Sequence, residues 1–130
     1  MGEGRVLGIG GVFLRADDPE ALARWYVEHL GISVSAAGQP AADGNWMWRQ
    51  DAGDTVFSMF PRGSDYFAAD RQVMLNLRVA GIDALVERLE ASGIAAERRA
   101  DWDHPDVGRF ARIHDPEGNP IELWEPPAAA

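Results

Sequence analysis

A chain that carries the same short pattern twice at a fixed spacing has few folds open to it, and this one repeats at an offset of 63. The segment LRADDPEALARWYVEHLGI from Leu14 lies over LRVAGIDALVERLEASGI from Leu77, so that Leu14 and Arg15 fall on Leu77 and Arg78, and Ala21 and Leu22 on Ala84 and Leu85. Each copy begins as a short apolar or alternating strand, continues as a helix and ends in Gly-Ile. In the first helix Asp18 is the expected cap and Pro19 occupies the first turn, while Leu22, Trp25, Tyr26 and Leu30 share one face. In the second, Asp83 is the expected cap and Leu85, Val86 and Leu89 point inward. Gly31 and Gly93 suit the left-handed residue that closes a helix.

After each helix the pattern predicts a hairpin. The first, NWMWRQDAGDTVFSMF, turns at Asp51-Ala52-Gly53-Asp54, and the second, GRFARIHDPEGNPIELW, turns over DPEGN from Asp115 to Asn119. The order β-α-β-β-β thus occurs twice, in modules over residues 6–60 and 73–126 joined by a linker over 61–72. One short helix per three or four strands predicts an α+β fold. Helices cover the outer face of a curved mixed sheet, and the other face is left as a cleft. At 130 residues the chain makes one domain, able to bury roughly two-thirds of its unfolded surface without staples.

Composition removes several function classes. With no cysteine there are no disulfides, thiolate zinc sites or thiol nucleophiles, and a reducing cytoplasm is the default location. The beginning, MGEGRVLGIGG, lacks the basic and long apolar regions of a signal peptide, and no apolar run approaches the roughly 20 residues that span a bilayer. Acids outnumber bases 21 to 12, every base is arginine, and the net charge is −9. Such a chain repels phosphate backbones and anionic membranes, so neither nucleic acid nor a membrane is expected as a partner. The GIGG near the start has neither glycine-rich nucleotide pattern, and no nucleophile motif accompanies His104 or His114.

The register of the last hairpin gives its most specific expectation. With Asp115 opposite Asn119, Ile113 faces Ile121, Arg112 faces Glu122, Ala111 faces Leu123 and Phe110 faces Trp124. The isoleucines, Ala111 and Leu123 then form the face for a helix to cover. Phe110, Arg112, Glu122 and Trp124 look into the cleft. Arg112 and Glu122 are expected as a cross-strand ion pair, a kind of contact worth roughly 0.2–1 kcal/mol at ordinary exposure. Glu122 is then either half of a structural pair or a ligand contact; neutralised by a guanidinium it would be a poor general base. The same alternation sends Gly11, Phe13 and Arg15 to the cleft from the first copy and Met74, Asn76 and Arg78 from the second. Trp46 and Trp48 share one face of their strand. Apolar walls with a few polar groups are the signature of a small-molecule pocket. The candidate ligand-binding residues are therefore Phe13, Trp48, Met74, Asn76, Phe110, Arg112, Glu122 and Trp124. The loop DWDHPD, Asp101 to Asp106, reads as a solvated loop or as a lid with Trp102 as its apolar contact, and SDYF, holding Tyr66 and Phe67, anchors the linker or edges the pocket.

A doubled β-α-β-β-β chain that carries WYVEHLGI in its first helix and ends in DPEGNPIELWEP resembles the vicinal-oxygen-chelate superfamily. That superfamily includes glyoxalase I, bleomycin-resistance proteins and extradiol dioxygenases. More closely, GVFLRADDPEALARWY with TVFSMFP, SDYF and MLNLRV is similar to small glyoxalase-like proteins. In metal-using members four cleft positions hold a divalent ion. The resemblance places them at Gly11, at Phe57 or Ser58, at Met74 and at Glu122, and only Glu122 matches. Catalytic zinc takes about three protein ligands, so no metal or other cofactor is expected. The resemblance implies a homodimer that binds a small organic molecule, either sequestering it or acting as a non-metal lyase. Its alternatives are a metal-dependent glyoxalase-type or dioxygenase-type enzyme and a non-catalytic interaction module. Spare tryptophans in an acidic chain favour a cationic aromatic ligand, whereas the cleft arginines favour a carboxylate or phenolate. The ligand class stays open at this level.

Overall fold

The computed structural model describes residues 4–35 and 47–128. Helix α1 runs over Pro19–Leu30 and begins as its sequence requires. The Asp18 side chain accepts from the Ala21 amide at 3.1 Å, Pro19 stands in the first turn, and Gly31 closes the helix in the left-handed conformation, φ 66°. Strand β1 spans Leu75–Arg78 and α2 spans Ile82–Ala91. A single 3-10 turn follows at Ala100–Trp102, and then strands β2, Arg109–His114, and β3, Pro120–Glu125.

These strands make a three-stranded mixed sheet in the order β1-β3-β2. β2 and β3 pair antiparallel with Phe110 opposite Trp124, Ala111 opposite Leu123, Arg112 opposite Glu122 and Ile113 opposite Ile121, the register read from the turn. β1 runs parallel to β3 and sets Asn76 beside Glu122 and Arg78 beside Trp124. One face is apolar: Leu77, Ala111, Ile113, Ile121 and Leu123 pack with Leu22 and Tyr26 of α1 and Ile82, Val86 and Leu89 of α2. Ile113, Ile121, Leu123 and Ile82 have no solvent exposure. Each such side chain contributes about 1.5–3 kcal/mol by leaving water, which is what holds both helices on this face.

The α+β class and the mixed sheet agree with the sequence pattern, but two details differ. Asp83 does not cap α2: the cap is Gly81, whose amide donates to the Glu125 carboxylate at 2.7 Å. Asp83 instead sits in the first turn and takes Arg109 at 2.7 Å and Arg98 at 3.1 Å. These guanidinium hydrogen bonds, Arg109 first, hold its carboxyl down at about 2. The second difference is larger. Among the described residues the first copy supplies α1 but no strand, so the sheet comes from the second copy, and Val6, Leu7, Phe13, Phe57 and Met59 are each at least 75% exposed. A strand persists only where a neighbour takes its backbone groups. Here the 51–54 turn is met by a side chain: Arg78 donates to the Asp54 carbonyl at 3.1 Å and to that of Asp51.

Candidate functional site

The face of the sheet away from the helices has Arg112 and Glu122 at its centre, 6% and 7% exposed. They are cross-strand neighbours, yet the ion pair expected between them does not form. The ion pairs of the described residues join Asp83 to Arg98 and Arg109, Glu97 to Arg99, and Arg109 to Glu125; Arg112 is in none of them. The linker intervenes. Tyr66 lowers its hydroxyl onto Glu122 Oε2, while Asn76 Nδ2 donates to Oε1 at 2.8 Å. Two neutral donors thus occupy the carboxylate. Burial, and then the hydrogen bond to Glu122, push the Tyr66 phenol up to about 12, so it remains a donor at neutral pH.

Arg112 is held by other means. Its Nη1 donates to the Tyr66 carbonyl at 2.9 Å. Its guanidinium carbon lies 4.8 Å from the Tyr66 ring centre and 5.4 Å from that of Trp102, close enough for the charge to be stabilised by both rings. Phe60 stacks on the other aromatic of the cluster, Tyr66, at 5.3 Å, and Phe67 meets Phe60 edge-on at 5.7 Å. Arg99 approaches Trp102 at 5.2 Å. Nε and Nη2 of Arg112 are buried without a hydrogen-bond partner among the described residues. An open depression of about 450 Å³ reaches Arg112, lined also by Ser64, Tyr66, Phe67, Glu97 and Arg99. A larger one, about 640 Å³, lies at the far end of the hairpin against His104, Arg109 and Glu125 and does not touch the Glu122 cluster.

Of the residues singled out in the sequence, Asn76, Arg112 and Glu122 come together here. Phe110 and Trp124 lie farther along the same hairpin, where the Phe110 amide donates to Asp103 and the Trp124 indole to the Val107 carbonyl at 2.8 Å. Met74 is half-buried just before β1, whereas Phe13 is 95% and Trp48 42% exposed. Trp46 lies outside the described residues. The two residues whose importance the hairpin register could not reveal are Tyr66 and Trp102. The signal for Tyr66 was its SDYF motif, and for Trp102 a lone aromatic in an acidic loop; neither says where the loop will dock.

The DPEGN turn proves to be an anchor. Asp115, 4% exposed, accepts from the amides of Glu117 (2.9 Å) and Asn119 (3.0 Å) and from the Tyr26 hydroxyl of α1 (2.7 Å). Burial and this bond push the Tyr26 phenol well above its ordinary range. Glu117 in turn accepts the Asp17 and Asp18 amides at 3.0 and 3.1 Å, placing a negative charge at the start of α1. Arg71 of the linker reaches the Glu117 carbonyl at 2.8 Å. One motif therefore locks the first helix and the linker to the last hairpin, and so positions Tyr66.

The comparisons agree with this architecture. The chain belongs to the glyoxalase-like domain family, whose pattern matches residues 11–124, and so to the vicinal-oxygen-chelate superfamily. TnmS3, an antibiotic binding protein from Streptomyces sp. CB03234, is similar at 26% identity and TM-score 0.58, covering 95% of this chain and 99% of its own. A lactoylglutathione lyase from Agrobacterium tumefaciens shares the fold at 21% identity and TM-score 0.58, over 94% of this chain and 96% of its own. No curated protein matches the sequence. Among the described residues no helix is long and apolar enough to cross a membrane.

Proposed function

We propose that this protein captures a small organic molecule on the aromatic and polar face around Glu122, without a metal ion. The observation that carries the reading is the engagement of Glu122: both carboxylate oxygens already accept hydrogen bonds, from Tyr66 and Asn76. About half of the carboxylate's acceptor sites are thereby taken, and its orientation is set by neutral donors. The other positions of the family's metal pattern supply little to hold an ion there, since Gly11 has no side chain, Met74 offers only a soft thioether, and the remaining one is Phe57, with no donor, or Ser58, with a single neutral hydroxyl. The described residues contain no group of three His, Cys, Asp or Glu side chains suited to an ion. The donor set therefore does not fit a divalent metal. A depression lined by Tyr66 and Phe67 beside Arg112 suits an organic ligand, and the likeness to an antibiotic binding protein supports capture over turnover.

The reading includes a second copy of the chain in the cytoplasm, and two β-α-β-β-β modules completed in the dimer. Val6, Leu7, Phe13, Val56, Phe57 and Met59 are each at least 69% exposed, apolar side chains that a second copy would cover. The test is a thermal-shift screen of divalent metals against planar aromatic compounds. Binding raises the melting temperature with ligand concentration, so aromatic compounds are expected to stabilise the protein and metals to leave it unchanged. Stabilisation by a metal with uptake of one ion per chain would contradict the reading.

A further inference from the structure

The geometry points to Arg112 as the receptor for a carboxylate, and so to an aromatic monocarboxylate as the class of ligand captured. This deepens the proposed capture and rests on it. Of the guanidinium nitrogens, Nη1 is committed to the Tyr66 carbonyl, and the two left without partners are Nε and Nη2. Those two N–H groups point the same way along one edge of the planar group and form the fork that receives both oxygens of a carboxylate. A charged donor 94% buried with two open N–H bonds is costly by itself, since each unmade bond forfeits a charge-assisted interaction. The cost is recovered when an anion arrives.

The surroundings select among anions and against cations. Arg99 lines the same depression but is paired with Glu97 at 3.0 Å, and Asp65 adds a further acid. Arg112, in no ion pair, is the guanidinium left to receive an anion, and with Asp65 and Glu97 close by a monoanion meets less repulsion than a phosphate dianion. A cationic ligand would meet the Arg112 guanidinium at the fork itself. Tyr66 and Phe67 supply the flat walls that favour an aromatic body. Both nitrogens are buried in this structure, and of the two rings against the guanidinium Trp102 is the less constrained. Tyr66 is tied at both its hydroxyl and its carbonyl, whereas the Trp102 indole makes no hydrogen bond among the described residues and sits on a single short turn.

Calorimetric titration of the full chain with naphthoate, naphthamide and naphthylmethylammonium tests this. Naphthoate should bind about tenfold or more tightly than naphthamide, the gain expected from charge-assisted bonds to a fork. Arg112→Lys keeps the charge without the fork and should bring the acid-to-amide affinity ratio close to one. Equal affinity for the acid and the amide, or tighter binding of the ammonium compound, would overturn the inference and leave capture itself standing. Failure of all three compounds to bind would take the capture reading down with it. If Arg112→Lys does not fold by circular dichroism, the comparison on the unmodified protein still decides.

Discussion

Tyr66 is the residue on which the site turns, because it bonds Glu122 through its hydroxyl and Arg112 through its carbonyl. Replacing it by phenylalanine keeps the ring over Arg112 and removes only the donor to Glu122. Tyr66→Phe should therefore cost about 1–2 kcal/mol, measurable by urea unfolding, through an acceptor left short of its partner. It should also change the alkaline limb of stability. The folded phenol titrates at about 12 against an ordinary value of 10.0, so its contribution is complete below pH 10 and fades as the pH rises through 12. The variant should lose less stability than the parent across that window; equal losses would mean that Tyr66 does not reach Glu122 in solution. Glu122→Gln should destabilise slightly, by about 1 kcal/mol, and leave metal content unchanged, checked by unfolding and elemental analysis.

At the scale of elements, the last hairpin carries most of what could be read from the chain. Its turn chemistry and period-two alternation fixed the pairing of Phe110 through Ile113 with their partners because both signals are local. The failure of the Arg112–Glu122 pair came from outside that window. Tyr66 lies 46 residues before Arg112 and 56 before Glu122, and nothing in the hairpin announces that a linker will insert there. The capping of α2 misled for a related reason. Asp83 has the residue type of a cap, but two arginines from other segments claimed it, and a glycine took the position. The DPEGN anchor makes a strong forecast: Asp115→Ala strands the Tyr26 hydroxyl and two amides and should cost about 3 kcal/mol or more. Gly108 and Gly118 separate two kinds of strain. A Cβ at Gly108, φ 131°, would stand 2.2 Å from the Glu125 carbonyl oxygen, whereas at Gly118, φ 82°, it meets only the end of the Arg71 side chain at 2.8 Å. Gly108→Ala should lower the melting temperature clearly more than Gly118→Ala, since Arg71 can swing aside and β3 cannot.

For the whole molecule, the doubled pattern made the α+β class and both helices legible, while the first copy's strands were not realised among the described residues. Alternating apolar residues describe a strand's preference and not its partner, and Val6, Phe13, Val56 and Phe57 remain in water. A second copy that covers them should make the protein elute as a dimer at micromolar concentration; replacement of Phe13 and Phe57 by serine should give a monomer, and a monomeric parent would refute that arrangement. The account as a whole claims that ligand capture belongs to the polypeptide alone. Its most direct test is calorimetric titration with naphthoate before and after exhaustive chelation, and again after addition of zinc or manganese. The affinity should be the same in all three states, and binding that vanishes with the chelator and returns with the metal would contradict it.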